Sequence, residues 1–254
     1  MTDFAWWWYP ALFATGLLAG FVDAIAGGGG LLTVPALLAT GLPPQDALGT
    51  NKFQSSCGTT MATWQYARHD LLKWAELRLG IAATLVGAVA GAITVHWLKP
   101  EFLRPLIPVL LVIIALYTWF KPELGREKRP ARMSRSWFAV SAGLLIGFYD
   151  GFFGPGTGTF WMAACVVLLG LDLLGSTAYT KAMNLTSNLA SLAVFLATGH
   201  VRFGLGLTMA AGQVIGGRLG AKAAVKGGSK LIRPLFLTMV IALAAKLAWD
   251  GWNR

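Results

Sequence analysis

Two stretches of the chain, 79–97 and 103–120, each run for about 18 residues with at most one charged side chain, long enough to cross a bilayer core as a helix. In hydrocarbon every backbone N–H and C=O must find its partner inside the protein, which restricts spanning segments to helices or closed barrels. Composition agrees. Hydrophobic residues make up 56% of the chain and charged residues 13%, against about 25% charged in a soluble domain. These features predict an all-α polytopic membrane protein with about 8–10 membrane segments.

A net charge of +10 raises the question of nucleic acid. Its placement argues against that partner and for a lipid bilayer. Lys121, Arg126, Lys128, Arg129, Arg132 and Arg135 cluster in one central loop, and Arg218, Lys222, Lys226, Lys230 and Arg233 in another region. Short basic loops beside apolar spans follow the positive-inside rule. The N-terminus has Asp3 and no basic n-region, unlike a signal peptide. Trp6, Trp7, Trp8 and Tyr9 suit a membrane interface. Cys57 and Cys165 lie in apolar or small-residue segments, where packing is the expected role and a disulfide or metal pair the alternative.

The chain repeats itself. Gly20, Phe21, Asp23, Gly27 and Gly29 in GFVDAIAGGGG match Gly147, Phe148, Asp150, Gly154 and Gly156 in GFYDGFFGPGTG. Further on, NKFQSSCGTT aligns with TKAMNLTSNL, Gly87 and Gly91 with Gly216 and Gly220, and Leu103-Arg104-Pro105-Leu106 with Ile232-Arg233-Pro234-Leu235. This order predicts a duplication: a first membrane repeat over 1–121, a basic cytoplasmic linker over 122–135 and a second repeat over 136–254. Helices are expected over 9–26, 29–41, 47–66, 75–97 and 102–120. Their counterparts are expected over 137–153, 157–170, 177–198, 204–225 and 232–250. The second piece of each half is too short for a comfortable span and reads as a half-helix. With the central loop in the cytoplasm, an odd number of passes per half puts most Lys and Arg on one side, which predicts inverted repeats.

The glycine loops lack G-K-[ST], a preceding strand and a βαβ unit, so they are not phosphate loops. Four consecutive glycines, or Gly154-Pro155-Gly156, break a helix. The break leaves N–H groups that favour anions at the start of the next piece. Paired broken helices in corresponding positions of duplicated halves mark a central transport site. Gly87/Gly91 and Gly216/Gly220 instead suit close helix packing.

The third segment of each half is the most polar. Lys52, Ser56, Thr59 and Thr63 share one helix face, as do Lys181, Asn184 and Asn188. Such residues at membrane depth face an interior or a cavity. The two lysines, with nearby hydroxyls and amides, suit an anion such as a sulfur oxyanion or carboxylate. Lysine snorkelling to the interface is the alternative. Asp23 and Asp150, a turn before the glycine loops, could pair with the lysines, cap the broken helices or carry a coupling proton. His69, His96 and His200 lie near segment ends and read as interfacial.

At these residues the chain resembles the TauE/SafE family of sulfite exporters, membrane permeases formerly grouped as domain of unknown function 81. The resemblance spans nearly the whole chain. It implies a bacterial inner-membrane, multi-pass transporter without an organic cofactor, exporting small sulfur-containing anions such as sulfite, sulfoacetate or related organosulfonates by alternating access. By resemblance the glycine motif falls on Gly28, Gly29 and Gly30 and on Gly156, Thr157 and Gly158. The Thr-Asn-Lys element falls on Thr50, Asn51 and Lys52. Its counterpart falls on Thr180, Lys181, Asn184 and Asn188. The alternatives are an anion channel, a permease for another small organic anion, an accessory subunit, or a membrane enzyme. The last would need a serine and a histidine in reach at membrane depth. No metal site is expected. Proton coupling, direction and assembly into a homo-oligomer stay open.

Overall fold

The computed structural model describes residues 4–98 and 130–252, with side chains up to residue 227. The expected helix over 102–120, Lys99, the Arg104-Pro105 element and linker residues 122–129 lie outside the described residues. Those described form eight helices and no strand. They are α1 (Trp8–Ala26), α2 (Gly30–Ala39), α3 (Pro44–Ala67), α4 (Trp74–Trp97), α5 (Arg135–Phe152), α6 (Thr157–Leu169), α7 (Leu173–Ala197) and α8 (Phe203–Trp252).

Local chemistry sets the ends. α3 opens with Pro44, whose fixed φ suits a first helical turn. α7 starts four residues before the expected 177, because the Asp172 carboxylate accepts the Gly175 N–H at 2.7 Å and caps it. The two helices expected over 204–225 and 232–250 are one. α8 runs for 50 residues, roughly 75 Å at 1.5 Å per residue, through Gly227-Gly228 and on past Pro234. In helical conformation each glycine costs only about 1 kcal/mol relative to alanine, too little by itself to end a helix.

Two hairpins enter from opposite ends of the bundle. Leu12 of α1 and Leu37 of α2 share an apolar cluster with Ala47 of α3 and Leu205 of α8, so α2 folds back towards the start of α1. Phe138 of α5 and Val166 of α6 meet at the other end, beside Leu72 and Leu173. α3 and α7 lie side by side in opposite directions. Asp46 at the start of α3 meets His200 beyond the end of α7. Thr63 near the end of α3 donates to the carbonyl of Lys181, near the start of α7.

Glycines let helices approach where the packing reading expected it. A Cβ on Gly216 of α8 would lie 2.8 Å from the Phe21 nitrogen of α1, and one on Gly91 of α4 would lie 2.7 Å from the Phe152 nitrogen of α5. No side chain fits at either place. Leu18, Val86, Leu145 and Leu207 are exposed on the outside of these helix pairs. Among the described residues, α1 and α4 are long and apolar enough to cross a bilayer on their own, and α2 and α6 are shorter apolar helices. Cys57 and Cys165 are free thiols, the first half-buried and the second buried.

Candidate functional site

The tips of the two hairpins meet in the middle. α1 stops where Gly27 takes φ 72°, and α5 gives way to Gly154 at φ 94°. Residues with a Cβ rarely adopt that left-handed region. The second break is pinned by Tyr149, whose Oη donates to the Pro155 carbonyl at 2.7 Å. At the crossing, a Cβ on Gly158 would fall 2.7 Å from Gly27 Cα, and one on Gly30 would fall 3.0 Å from Pro155 Cα. The backbones touch there.

A polar cavity of about 20 Å³ lies at this crossing. Both breaks reach it, through Gly28 and Gly30 on one side and Gly154, Gly156, Thr157 and Gly158 on the other. α3 adds Asn51, Lys52 and Ser55, and α7 adds Asn184 and Asn188. Asp23 and Asp150 complete the wall. A larger cavity of about 350 Å³ lies far from both breaks, beside Leu72, Lys73, Glu76 and Arg135. There Glu76 meets both Arg135 and Lys73, so neither cation is left for a ligand. The smaller cavity is the better site, because it alone gathers both breaks and both polar helices.

The charges at the centre pair crosswise. Lys52 Nζ lies 2.6 Å from Asp150 Oδ1, and Lys181 Nζ lies 2.7 Å from Asp23 Oδ2. Both lysines are fully buried. Neither snorkels, and neither is an unpaired cation waiting for a ligand. Both acids pair with a lysine, and Asp23 also caps. Its Oδ1 accepts the Gly29 N–H at 3.1 Å, where α2 begins. The anion-favouring end of α2 therefore already holds a carboxylate. Asp150 also accepts a hydrogen bond from the Ser187 hydroxyl.

Two amides keep donors for a ligand. Asn51 Oδ1 accepts from Thr33 at 2.5 Å and from Gln54 at 2.7 Å. Asn188 Oδ1 accepts from Lys52 at 3.3 Å. With each oxygen engaged, the amide orientation is fixed, and the NH2 group makes no hydrogen bond of its own among the described residues.

Four expected site residues stand back from the wall. Gly29 serves the Asp23 cap. Thr50 accepts the Arg202 backbone N–H at 2.9 Å. Thr180 and Lys181 are buried behind the wall. Sequence reasoning passed over Ser187 as a partner for Asp150, and it missed Asp46 entirely. Asp46 is buried at the start of α3, where His200 Nδ1 at 2.7 Å and Arg202 Nε at 2.7 Å clamp it. An acid in a first helical turn is a dipole signal. Its partners, more than 150 residues away, leave no local trace. The His200 ring lies 5.5 Å from that of His96. Among the described residues no three His, Cys, Asp or Glu side chains gather as a metal would require.

Known proteins are similar to this chain over most of its length. The family described as Sulfite exporter TauE/SafE matches residues 12–247. A probable membrane transporter protein, YfcA, of Escherichia coli K12 is 43% identical over 243 residues, covering 96% of this chain and 90% of its own length. A probable membrane transporter protein of Haemophilus influenzae is 42% identical over 242 residues, 95% of each chain. YunE of Bacillus subtilis, also named a probable membrane transporter protein, is 22% identical over 268 residues, 96% of this chain and 98% of its own. No solved structure matches. These relatives are named as transporters, which sets the membrane-enzyme alternative aside. The chain belongs to the TauE/SafE sulfite exporter family of membrane transporters.

Proposed function

We propose that this chain is a secondary transporter, an exporter of small sulfur-containing anions such as sulfite, sulfoacetate or a related organosulfonate, in a bacterial inner membrane. One observation carries the reading. A buried polar cavity is built jointly from two helix breaks and two polar helices, one of each from either half of the chain. Broken helices in matching positions are the usual construction of a carrier site. The uncommitted NH2 groups of Asn51 and Asn188 beside Lys52 give it donors for an oxyanion. The sulfur chemistry comes from the family description, not from the cavity.

Alternating access needs two halves that can rock about the site. The antiparallel course of α3 and α7, and the two hairpins opening at opposite ends, support inverted repeats over 1–121 and 136–254. A cavity of only about 20 Å³, at the point where two backbones touch, favours a carrier over an open channel.

The test is counterflow in proteoliposomes holding the purified chain, loaded in turn with sulfite, sulfoacetate, thiosulfate and acetate. Saturable exchange of a sulfur oxyanion, with an apparent KM that Lys52→Gln raises, is the expected result. If no anion exchanges in well-folded protein, the transporter reading fails.

A further inference from the structure

The two buried ion pairs at the cavity differ in kind. Lys181 and Asp23 are locked: Lys181 does not reach the cavity wall, and Asp23 is also tied to the Gly29 N–H. Lys52 and Asp150 both face the cavity, and Asn188 lies against the same ammonium. The charge of the centre is therefore zero when nothing is bound. A monovalent anion entering alone would leave it at minus one, buried, which is strongly unfavourable without compensation. The cavity is also too small. About 20 Å³ holds roughly one water, not an oxyanion.

Both difficulties have one solution. Resting on the transporter reading, we propose that the Lys52–Asp150 pair is exchangeable. The substrate anion takes the place of the Asp150 carboxylate at Lys52 Nζ, and Asp150 takes up one proton as it leaves. The proton comes from water on the side where the anion enters and returns to water on the side where it leaves. Empty and loaded centres are then both neutral. Anion and proton travel in the same direction, one proton for each monovalent anion. Asp150 keeps a hydrogen-bond partner after it leaves Lys52, because the Ser187 hydroxyl at its other oxygen can accept from the carboxylic acid. The groups facing Asp150 are Lys52 from α3, Ser187 from α7 and, on its own helix, the Tyr149 hydroxyl. Among the described residues, α4, α6 and α8 bring no charge to the cavity wall, and Asp23 across it is held by Lys181.

The experiment uses the full chain in proteoliposomes with an internal pH dye and a potassium–valinomycin clamp. Methanesulfonate is the first probe, because it stays monovalent and has no proton of its own to carry. Sulfoacetate replaces it if only the latter shows counterflow. Counterflow is measured first, since it needs the site but not the coupling. Downhill entry of the anion should then acidify the lumen with about one proton per anion. For methanesulfonate the rate should ignore the membrane potential. Asp150→Asn, which mimics the protonated acid permanently, should lower the proton-to-anion ratio at least ten-fold and make anion movement follow the potential. Wild-type counterflow with net flux that carries current and moves no proton overturns the coupling and leaves the transporter reading standing. Absence of counterflow for every anion overturns both. The wild-type ratio decides the matter even if Asp150→Asn does not fold.

Discussion

Lys52 Nζ sits 2.6 Å from Asp150 Oδ1, joining helices α3 and α5 across 98 residues of chain at a point where both side chains are buried. Removing one partner of a buried pair leaves the other charge stranded, which costs about 3–5 kcal/mol. Lys52→Met and Asp150→Leu should each lower thermal stability in detergent by that order. The double variant should recover most of the loss, because two apolar residues replace a satisfied pair. It should still not transport. A double variant as unstable as either single one would show that the pair contributes more than mutual neutralisation.

Lys181 should behave differently from Lys52. It stands behind the wall and holds Asp23, which in turn orders the start of α2. Lys181→Gln is expected to reduce the maximal rate and the stability while changing the apparent KM for the anion less than Lys52→Gln does. Paired uptake curves for the two variants provide the comparison. A larger KM change at Lys181 would mean that it touches the substrate in another state of the cycle.

The hairpin crossing leaves no room for a methyl group. Gly27→Ala meets two penalties at once. A residue with a Cβ held at φ 72° and ψ 162° costs about 1–3 kcal/mol, and overpacking a close contact costs roughly another 1–3. Gly204, whose Cβ would meet nothing within 4 Å, supplies the control. Thermal unfolding of Gly27→Ala beside Gly204→Ala should show the loss only in the former.

The Asp46 clamp ties the loop before α8 to the helix that bears Lys52. Asp46→Asn weakens the charged hydrogen bonds to His200 and Arg202. A loss of roughly 1–3 kcal/mol is expected. A thiol reagent should label Val201→Cys, nearly buried in the intact chain, faster when Asp46→Asn is added. Unchanged labelling would show that the loop is held mainly by other contacts, such as the Arg202 N–H to Thr50.

Much of this was readable from the residues, for identifiable reasons. Glycine runs and Pro155 act on their own backbone, so the breaks at 27–30 and 154–158 could be placed without any partner. The spacing of three and four that joins Lys181, Asn184 and Asn188 is a property of one helix. What could not be read depends on distant chain segments. Pairing each lysine with the acid of its own half fits the sequence equally well, yet Lys52 takes Asp150 and Lys181 takes Asp23. Asp46, inside LPPQDALGT, has no polar periodicity around it and is explained only by a loop near residue 200. The expected break between 225 and 232 is absent from α8, since Gly227 and Gly228 in helical conformation cost too little to end a helix.

The grip of Gly216 and Gly220 on α1 bears on how the chain is made. During synthesis α1 is the first helix described here to leave the ribosome, and the groove that receives it is almost the last. The same exchange joins α4 to α5, so among the described residues each half is held at its ends by the other. Each half is a set of helices waiting for the other. The two halves, expressed as separate polypeptides in one membrane, should therefore find each other and assemble, whereas either alone should be degraded.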